Sequence, residues 1–453
     1  MLTAAALVMG VTSCNNDDEL GGGSQELVKG TPTAMGLTIR APRAPQTYAD
    51  DPNATNAEIE LKTVNVLIYA ETATPGAYIL EQNAALTRAD FNAVVNAPDT
   101  YVLDNASKIA TTTGNKKIFV AMNYPGTLPA VGAPLTNLSG LMHTLTSADQ
   151  LSSAANGLAM FSASEVDATL VPETTPGTTP AANIVTAGVK RLVAKVTVQE
   201  DLARNGGGDI ESQGGILTNL QFALGHANKS IYPLQKRVGT APNIVVQDPN
   251  WSSYVAGDFF TIGSYALASA DYQAVDAAAT AILSLKTVYA PENTAQNYNA
   301  DGDNLTYVSV RAQYQPQFFV DDAGVSKGAN TAAAQSFWTV TKTDGSILYF
   351  DVETEADDYI TNVDPAGVKS AEYVDGLCYF RAYINKNGTA DGNITGSVAA
   401  KFDVLRNNYY KAVIKSIKAP GAATDEGSVV ESTTLMVDVE VEPWFLISDD
   451  YDL

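Results

Sequence analysis

AMGLTIRAPRAP, Ala34 to Pro45, alternates as a strand does: Met35, Leu37 and Ile39 fall on one face, Thr38 and Arg40 on the other. Two Arg-Ala-Pro steps then close it, because proline cannot donate to a β-ladder. A well-made apolar strand is thus followed at once by a loop that offers Arg40 and Arg43 to a protease. Removing such a strand would strip a sheet of an edge partner and uncover the core that Met35, Leu37 and Ile39 cover, a burial of roughly 5–9 kcal/mol. The freed backbone groups would then form a template for strand addition from another chain.

Working outward, strand signals dominate. LKTVNVLIYAE (Leu61–Glu71), KKIFVAMNYP (Lys116–Pro125) and VKRLVAKVTV (Val189–Val198) are β-branched or aromatic runs bounded by turn residues. GILTNLQFAL, LTYVSVRAQY, LCYFRAYI, NYYKAVIKSI and TTLMVDVEVEPW continue the pattern, separated by clusters such as NGGGD and NKNGTADGN. Ser147–Phe161, with Leu151, Leu158 and Phe161 spaced for one face, and the alanine-rich Ala268–Leu283 read as helices decorating a β framework. A loose internal repeat places an apolar strand ahead of VNVLIYAE in the first half and VKRLVAKVTV ahead of LTNLQFAL in the second. The fold expected is mainly β: two tandem β-sandwich domains with short helices in loops. The Thr/Pro segment PETTPGTTPAAN (Pro172–Asn183) marks the boundary.

The 453 residues carry a net charge of −23, with 45% hydrophobic and 17% charged residues. This is a globular composition with a solvated acidic surface. No basic stripe is present to hold phosphates, so nucleic acid is excluded as a partner. The two cysteines, Cys14 and Cys378, do not make a disulfide framework. Cys378 sits in a strand-like run and reads as a small buried apolar residue. Neither a G-x-S-x-G elbow, nor a phosphate loop, nor an HExxH helix occurs, and only two histidines are available. An enzyme is not expected, and neither a cofactor nor a metal. The acidic runs DGDN (Asp301–Asn304) and EADD (Glu355–Asp358) lack calcium-loop spacing and read as surface turns. Trp251 and Trp338 would suit a glycan-binding surface if exposed, but read as core.

MLTAAALVMGVTSC is apolar and then small, too short to span a bilayer and shaped like the end of a secretory signal. Val11-Thr12-Ser13-Cys14 resembles the bacterial lipoprotein box, which makes Cys14 the lipidation candidate. No Lys or Arg precedes the apolar stretch. NNDDEL and GGGSQ follow as a polar tether.

At the other end, Leu435, Val437, Val439 and Val441 alternate with Met436, Asp438, Glu440 and Glu442 until Pro443 interrupts. Trp444, Phe445, Leu446, Ile447, Tyr451 and Leu453 add a heavy apolar load. Such a segment would either dock on its own domain or be donated to another. The strand before Pro443 completing its own sandwich while the residues after it are donated is the mixed case.

The lipoprotein box, the Arg-bounded first strand, VKRLVAKVTV, YAPENT, RNNYYKAVIKSIKAPG and above all LMVDVEVEPWFLISDDYDL together resemble the fimbrillins of Bacteroidia, the type V pilins. Within that family the pattern is most similar to the structural subunit of the short (minor) fimbriae of Porphyromonas. The resemblance implies two transthyretin-like β-sandwiches exported as a lipidated precursor anchored to the outer membrane. An Arg-specific surface protease then removes the first strand, and the C-terminal segment of a neighbouring subunit fills the groove. Carried onto this chain, it implies a signal segment over 1–14, a tether and removable strand over 15–43, sandwiches over 44–184 and 185–432, and a donor segment over 433–453. Arg43 matches the cleavage site, with Arg40 as the competitor. Expected partners are identical subunits in a head-to-tail filament, accessory tip and anchor pilins and the protease. A head-to-tail contact does not close on itself and generates a filament. Loss of 1–43 removes four acidic and three basic side chains and leaves −22 per subunit, a repulsion that physiological salt screens. The expectation is a shaft subunit of a surface pilus that supports adhesion and biofilm formation. The alternatives are a tip or anchor subunit, which would lack a working donor or cleavage site, and a monomeric glycan-binding lipoprotein.

Overall fold

The computed structural model describes residues 30–42, 55–94, 97–202, 210–212, 214–260, 272–277, 280, 284–298, 302–385, 388, 397–424 and 435–443. Residues 1–14, read from the sequence as a signal segment, with Cys14, Arg43 and the stretch 444–453, lie outside these residues. Within them the chain is mainly β. Seven strands open it: β1 (Pro32–Arg40), β2 (Thr63–Glu71), β3 (Tyr78–Thr87), β4 (Phe91–Val94), β5 (Ala97–Leu103), β6 (Ile109–Thr112) and β7 (Gly114–Met122).

These strands join Met160–Ser162, Val166–Leu170 and Ile184–Arg191 in one ten-stranded sheet. β1 is not at its edge. On one side Gly36–Arg40 pairs in parallel with 184–188. On the other, 38–40 pairs antiparallel with β5 and 32–35 with β6. The expectation of an edge strand is therefore corrected: β1 is hydrogen-bonded along both sides. The reason lies in the pattern, since a strand with buried residues on its inner face and neighbours to either hand loses more on removal than an edge strand would.

VKRLVAKVTV is not one strand. Ile184–Arg191 ends in the first sheet, the buried Leu192 turns the chain, and Val193–Glu200 enters a second sheet. The change of sheet comes at Leu192, beyond the Thr/Pro segment that marked it in the sequence. In the second sheet Val193–Glu200 pairs in parallel with Asn408–Ile417 and antiparallel with Thr287–Pro291. This partly repeats the surroundings of β1, which has a parallel strand on one side and antiparallel partners on the other; Val193–Glu200 adds a short parallel pairing with Asp276–Ala277. A third sheet holds Gly215–Gly225, Tyr307–Pro316 and Leu377–Tyr383 in antiparallel order. One continuous apolar core runs from Met35 and Leu37 through Leu192 and Val193 to Phe222 and Tyr410.

Neither helix read from the sequence is found among the described residues. Residues 147–157 form turns that Gly157 closes with φ +76°, and Met160–Ser162 is a strand. Leu151, Leu158 and Phe161 are buried all the same, so their helical spacing reflects chance positions on a folded loop. In 268–283, the described parts include the strands Gln273–Ala274 and Asp276–Ala277. The longest described helix is Glu353–Asn362, which contains the EADD run. Its acids sit in the first turns, where the helix dipole favours them, and Glu355 and Asp357 pair with Lys327 and Lys369. Cys378 is fully buried, and that burial pushes its thiol up to about 12.

The second half holds a buried acidic group with a consequence for stability. Asp403 accepts hydrogen bonds from the Tyr298 hydroxyl (2.6 Å) and the backbone N–H groups of Ala400 and Ala295, yet burial raises its carboxyl to about 6. A carboxyl raised on folding adds stability that is complete below its ordinary pKa and is lost as pH rises through about 6. Lowering the pH from 7 to 4.5 should therefore bring in a stabilising contribution from Asp403. In Asp403→Asn that contribution should be lost, and the stability difference between pH 7 and pH 4.5 should shift by the equivalent of about 2 kcal/mol, measured by calorimetry against pH.

Candidate functional site

The slot that β1 occupies is walled by Ile184–Arg191 on one side and by β5 and β6 on the other. Alternation sends Met35, Leu37 and Ile39 into the core, at 0%, 1% and 0% exposure. Ala34, Ala41 and Pro42 are buried as well. All three apolar residues singled out in the strand are thus brought together beneath it.

Each end of the slot has a polar fitting that the sequence did not reveal. At the start, the fully buried Asn183 donates from Nδ2 to Thr33 Oγ1 (3.0 Å), Ala34 O (3.0 Å) and Val171 O (2.9 Å). Its Oδ1 accepts from the Val171 N–H at 2.8 Å, and the Thr33 hydroxyl donates to Val171 O. At the far end, Arg191 is fully buried and donates from Nη2 to Pro42 O at 2.9 Å and from Nε to Glu58 O at 3.1 Å. Beside it Lys195 Nζ meets Glu58 Oε1 at 3.0 Å, and the Tyr289 hydroxyl donates to the same oxygen at 2.8 Å. Burial draws the Arg191 guanidinium down to about 10 and lowers Lys195, while Glu58 opposes both effects. The trace of this cluster in the sequence is the presence of Arg191 and Lys195, with Lys190, inside a strand-like β-branched run.

Glu58 thus sits against two buried cations. Glu58→Gln leaves both without their carboxylate, and removing one partner of a buried ion pair costs about 3–5 kcal/mol. Urea unfolding of the variant should show a loss of that size, with the midpoint shifted and the slope unchanged.

Arg40 is exposed at its side chain, but its backbone lies within the ladder opposite Gly188 and Thr100. The next N–H, that of Ala41, donates to Asp99 O at 2.8 Å. Pro42 is the last described residue before Arg43. At the C-terminal end, Leu435–Pro443 pairs antiparallel with Asn408–Ile417 at the edge of the second sheet. Leu435, Val437, Val439 and Val441 all belong to this strand, with Val437 buried and Val439 half-buried. Trp444, Phe445, Leu446, Ile447, Tyr451 and Leu453 fall outside the described residues. Of the two tryptophans weighed for glycan binding, Trp251 is half-buried and Trp338 packs against the cluster of Val340 and Phe350. Among the described residues no group of three His, Cys, Asp or Glu side chains is placed to hold a metal ion.

Residues 371–450 match the family described as "Major fimbrial subunit protein type IV, Fimbrillin, C-terminal". Over 98 residues the chain is 34% identical to the major fimbrium subunit FimA type-5 of Porphyromonas gingivalis. That match spans 21% of this chain and about a quarter (24%) of the relative's length. Among solved structures, a fimbrilin (fimA) from Porphyromonas gingivalis W83 aligns over 91% of this chain and 98% of its own, at 16% identity and a TM-score of 0.47. A putative cell adhesion protein from Parabacteroides distasonis aligns over 91% and 97%, at 13% identity and 0.46. The tip fimbrial protein Mfa3 from Porphyromonas gingivalis aligns over 91% and 100%, at 12% identity and 0.38.

Proposed function

We propose that this chain, whose residues 371–450 belong to the fimbrillin C-terminal family, is a shaft subunit of a bacterial surface pilus. It is exported as a lipoprotein precursor held to the outer membrane through Cys14, and it is activated when an Arg-specific protease removes the segment up to Arg43. It then polymerises when residues of a second copy that follow Pro443 enter the slot vacated by β1. It is a structural protein and not an enzyme, as are the fimbrial and adhesion proteins it resembles.

The observation that carries this reading is the position of β1. It is an interior strand with three core side chains and ladder bonds on both sides, and the sequence places Arg43 directly after its buried end at Ala41 and Pro42. Losing it exposes roughly 5–9 kcal/mol of apolar burial and two rows of unpaired backbone groups, so the vacated slot strongly favours a replacement strand. Arg43 is the cleavage site rather than Arg40. A protease needs an extended, accessible chain, and the backbone at Arg40 and Ala41 is engaged in the sheet. The donated segment is 444–453, because Leu435–Pro443 is already the partner of Asn408–Ile417. Having both a removable strand and a donor favours a shaft subunit over a tip or anchor.

Limited trypsin treatment of the purified precursor tests this reading. It should release a product beginning at Ala44 that forms ladders on gels run without heating. Such resistance to SDS reflects slow unfolding of an inserted strand. A processed product that remains monomeric would refute polymerisation and return the glycan-binding monomer to consideration.

A further inference from the structure

A cut after Arg43 breaks one peptide bond and none of the contacts that hold β1. The ladder pairs of Pro32–Arg40, the bond from the Ala41 N–H to Asp99 O and the bond that the Pro42 carbonyl accepts from Arg191 all join residues before the cut to the sheet around them. Further back, the Thr31 N–H donates to Thr113 Oγ1 at 3.0 Å, and the Thr113 N–H donates to Thr31 O at 2.9 Å. An edge strand can peel from one neighbour. An interior strand has to leave two ladders and a packed floor together, which makes its departure slow.

Asn183 stands where one of those ladders stops. Parallel pairing with Ile184–Arg191 begins at Gly36 opposite Ile184, and before that point the Asn183 side chain reaches β1 in place of a strand. The backbone of Val171 clasps its amide: Oδ1 accepts from the Val171 N–H at 2.8 Å and Nδ2 donates to Val171 O at 2.9 Å. Neither residue belongs to β1, so the clasp survives the cut and keeps the amide aimed. So oriented, Nδ2 meets Thr33 Oγ1 and Ala34 O, each at 3.0 Å, while the Thr33 hydroxyl donates to Val171 O at 2.8 Å. Asn183 is fully buried and Thr33 is buried beside it. This fastening lies at the end of β1 farthest from the cut.

We propose that cleavage alone does not open the slot: the clipped strand stays seated as a plug, and the hold of Asn183 on Thr33 and Ala34 sets how long it stays. This deepens the strand-donation reading and rests on it. Activation then has two steps, a cut that removes the tether and a release that lets a strand of a second copy enter. In the interval the plug keeps the apolar floor and two rows of backbone groups covered, which would otherwise pair without selection. Asn183 is a positioning residue that times the exchange.

The test clips four full-length precursors with trypsin: wild type, Asn183→Ala, Thr33→Val and Ser162→Ala. Size exclusion with mass spectrometry follows the fragment that contains β1, unheated gels follow ladders, and far-UV circular dichroism confirms each fold. In wild type the fragment should elute with the body after clipping is complete, and ladders should appear only after a lag. Asn183→Ala and Thr33→Val should each shorten retention and lag at least about tenfold, as the loss of about one net hydrogen bond implies. Ser162→Ala should keep the wild-type times, because its buried hydroxyl is bonded to Val120 rather than to β1, so it separates the clasp from a general loss of stability. Excess synthetic peptide of residues 30–43 should lengthen the lag by mass action. A fragment that leaves as fast as the cut is made would overturn the inference and leave strand donation standing. Retention unchanged in both clasp variants, or shortened equally in Ser162→Ala, would also overturn it. A fragment retained and released as expected, with ladders never forming, would support the plug and bring down strand donation. Should Asn183→Ala not fold, Thr33→Val decides by the same criterion.

Discussion

On the proposed reading, Arg43→Ala should leave the chain uncut in cells that process it, and no filament should form. A trypsin-like protease recognises its arginine through a buried carboxylate pocket. Presenting alanine leaves that pocket unpaired, which lowers cleavage by about 10³-fold or more. Arg40→Ala, by contrast, should be processed as the wild type is. Arg40 lies in the ladder between 184–188 and β5, and the Ala41 N–H is held by Asp99 O. N-terminal sequencing of the mature protein checks the pair. A start at Ala44 in wild type and R40A, with no processed species in R43A, is the expected result. A start at Ala41 would move the cleavage to Arg40 and require the end of β1 to open first.

Deleting Pro443–Leu453 should separate folding from assembly. Most of Leu435–Pro443 remains paired with Asn408–Ile417, and the core cluster through Val437 is untouched. The truncated precursor should unfold within about 0.5 kcal/mol of the parent, as changes away from buried features do. After clipping, however, it should give no ladders, because the slot has no strand to receive. Adding clipped full-length protein should allow the truncated chain to accept one donor and terminate the filament. Loss of soluble protein on truncation would instead show that the segment belongs to its own core. Negative-stain microscopy and unheated gels distinguish these outcomes.

The inward face of β1 was legible in the sequence because strand alternation is local: Met35, Leu37 and Ile39 point the same way whatever they pack against. The same holds for Leu435–Pro443, where Val437 proves buried. The helical reading of 147–161 failed because three apolar residues at helical spacing also suit a compact turn, and Gly157 with φ +76° ends any helix there. The helix Glu353–Asn362 was missed because its acids read as a surface turn, and only their pairing with Lys327 and Lys369 reveals the face they form.

By itself the sequence determined a β protein with an apolar first strand, arginines placed after it, and an apolar-then-acidic segment near the other end. These are properties of neighbours along the chain, and period and composition record them. Only the tertiary structure decided that β1 is interior and not at an edge, that Leu192 is where the chain changes sheets, and that Asn183 and Arg191 guard the two ends of one slot. The contacts of Asn183 and Arg191 with this segment join residues 149 positions apart, and the pairings that make β1 interior join residues 60 to 148 apart. Hydrogen-bond partners at such separation are chosen by how sheets pack, which no local pattern encodes.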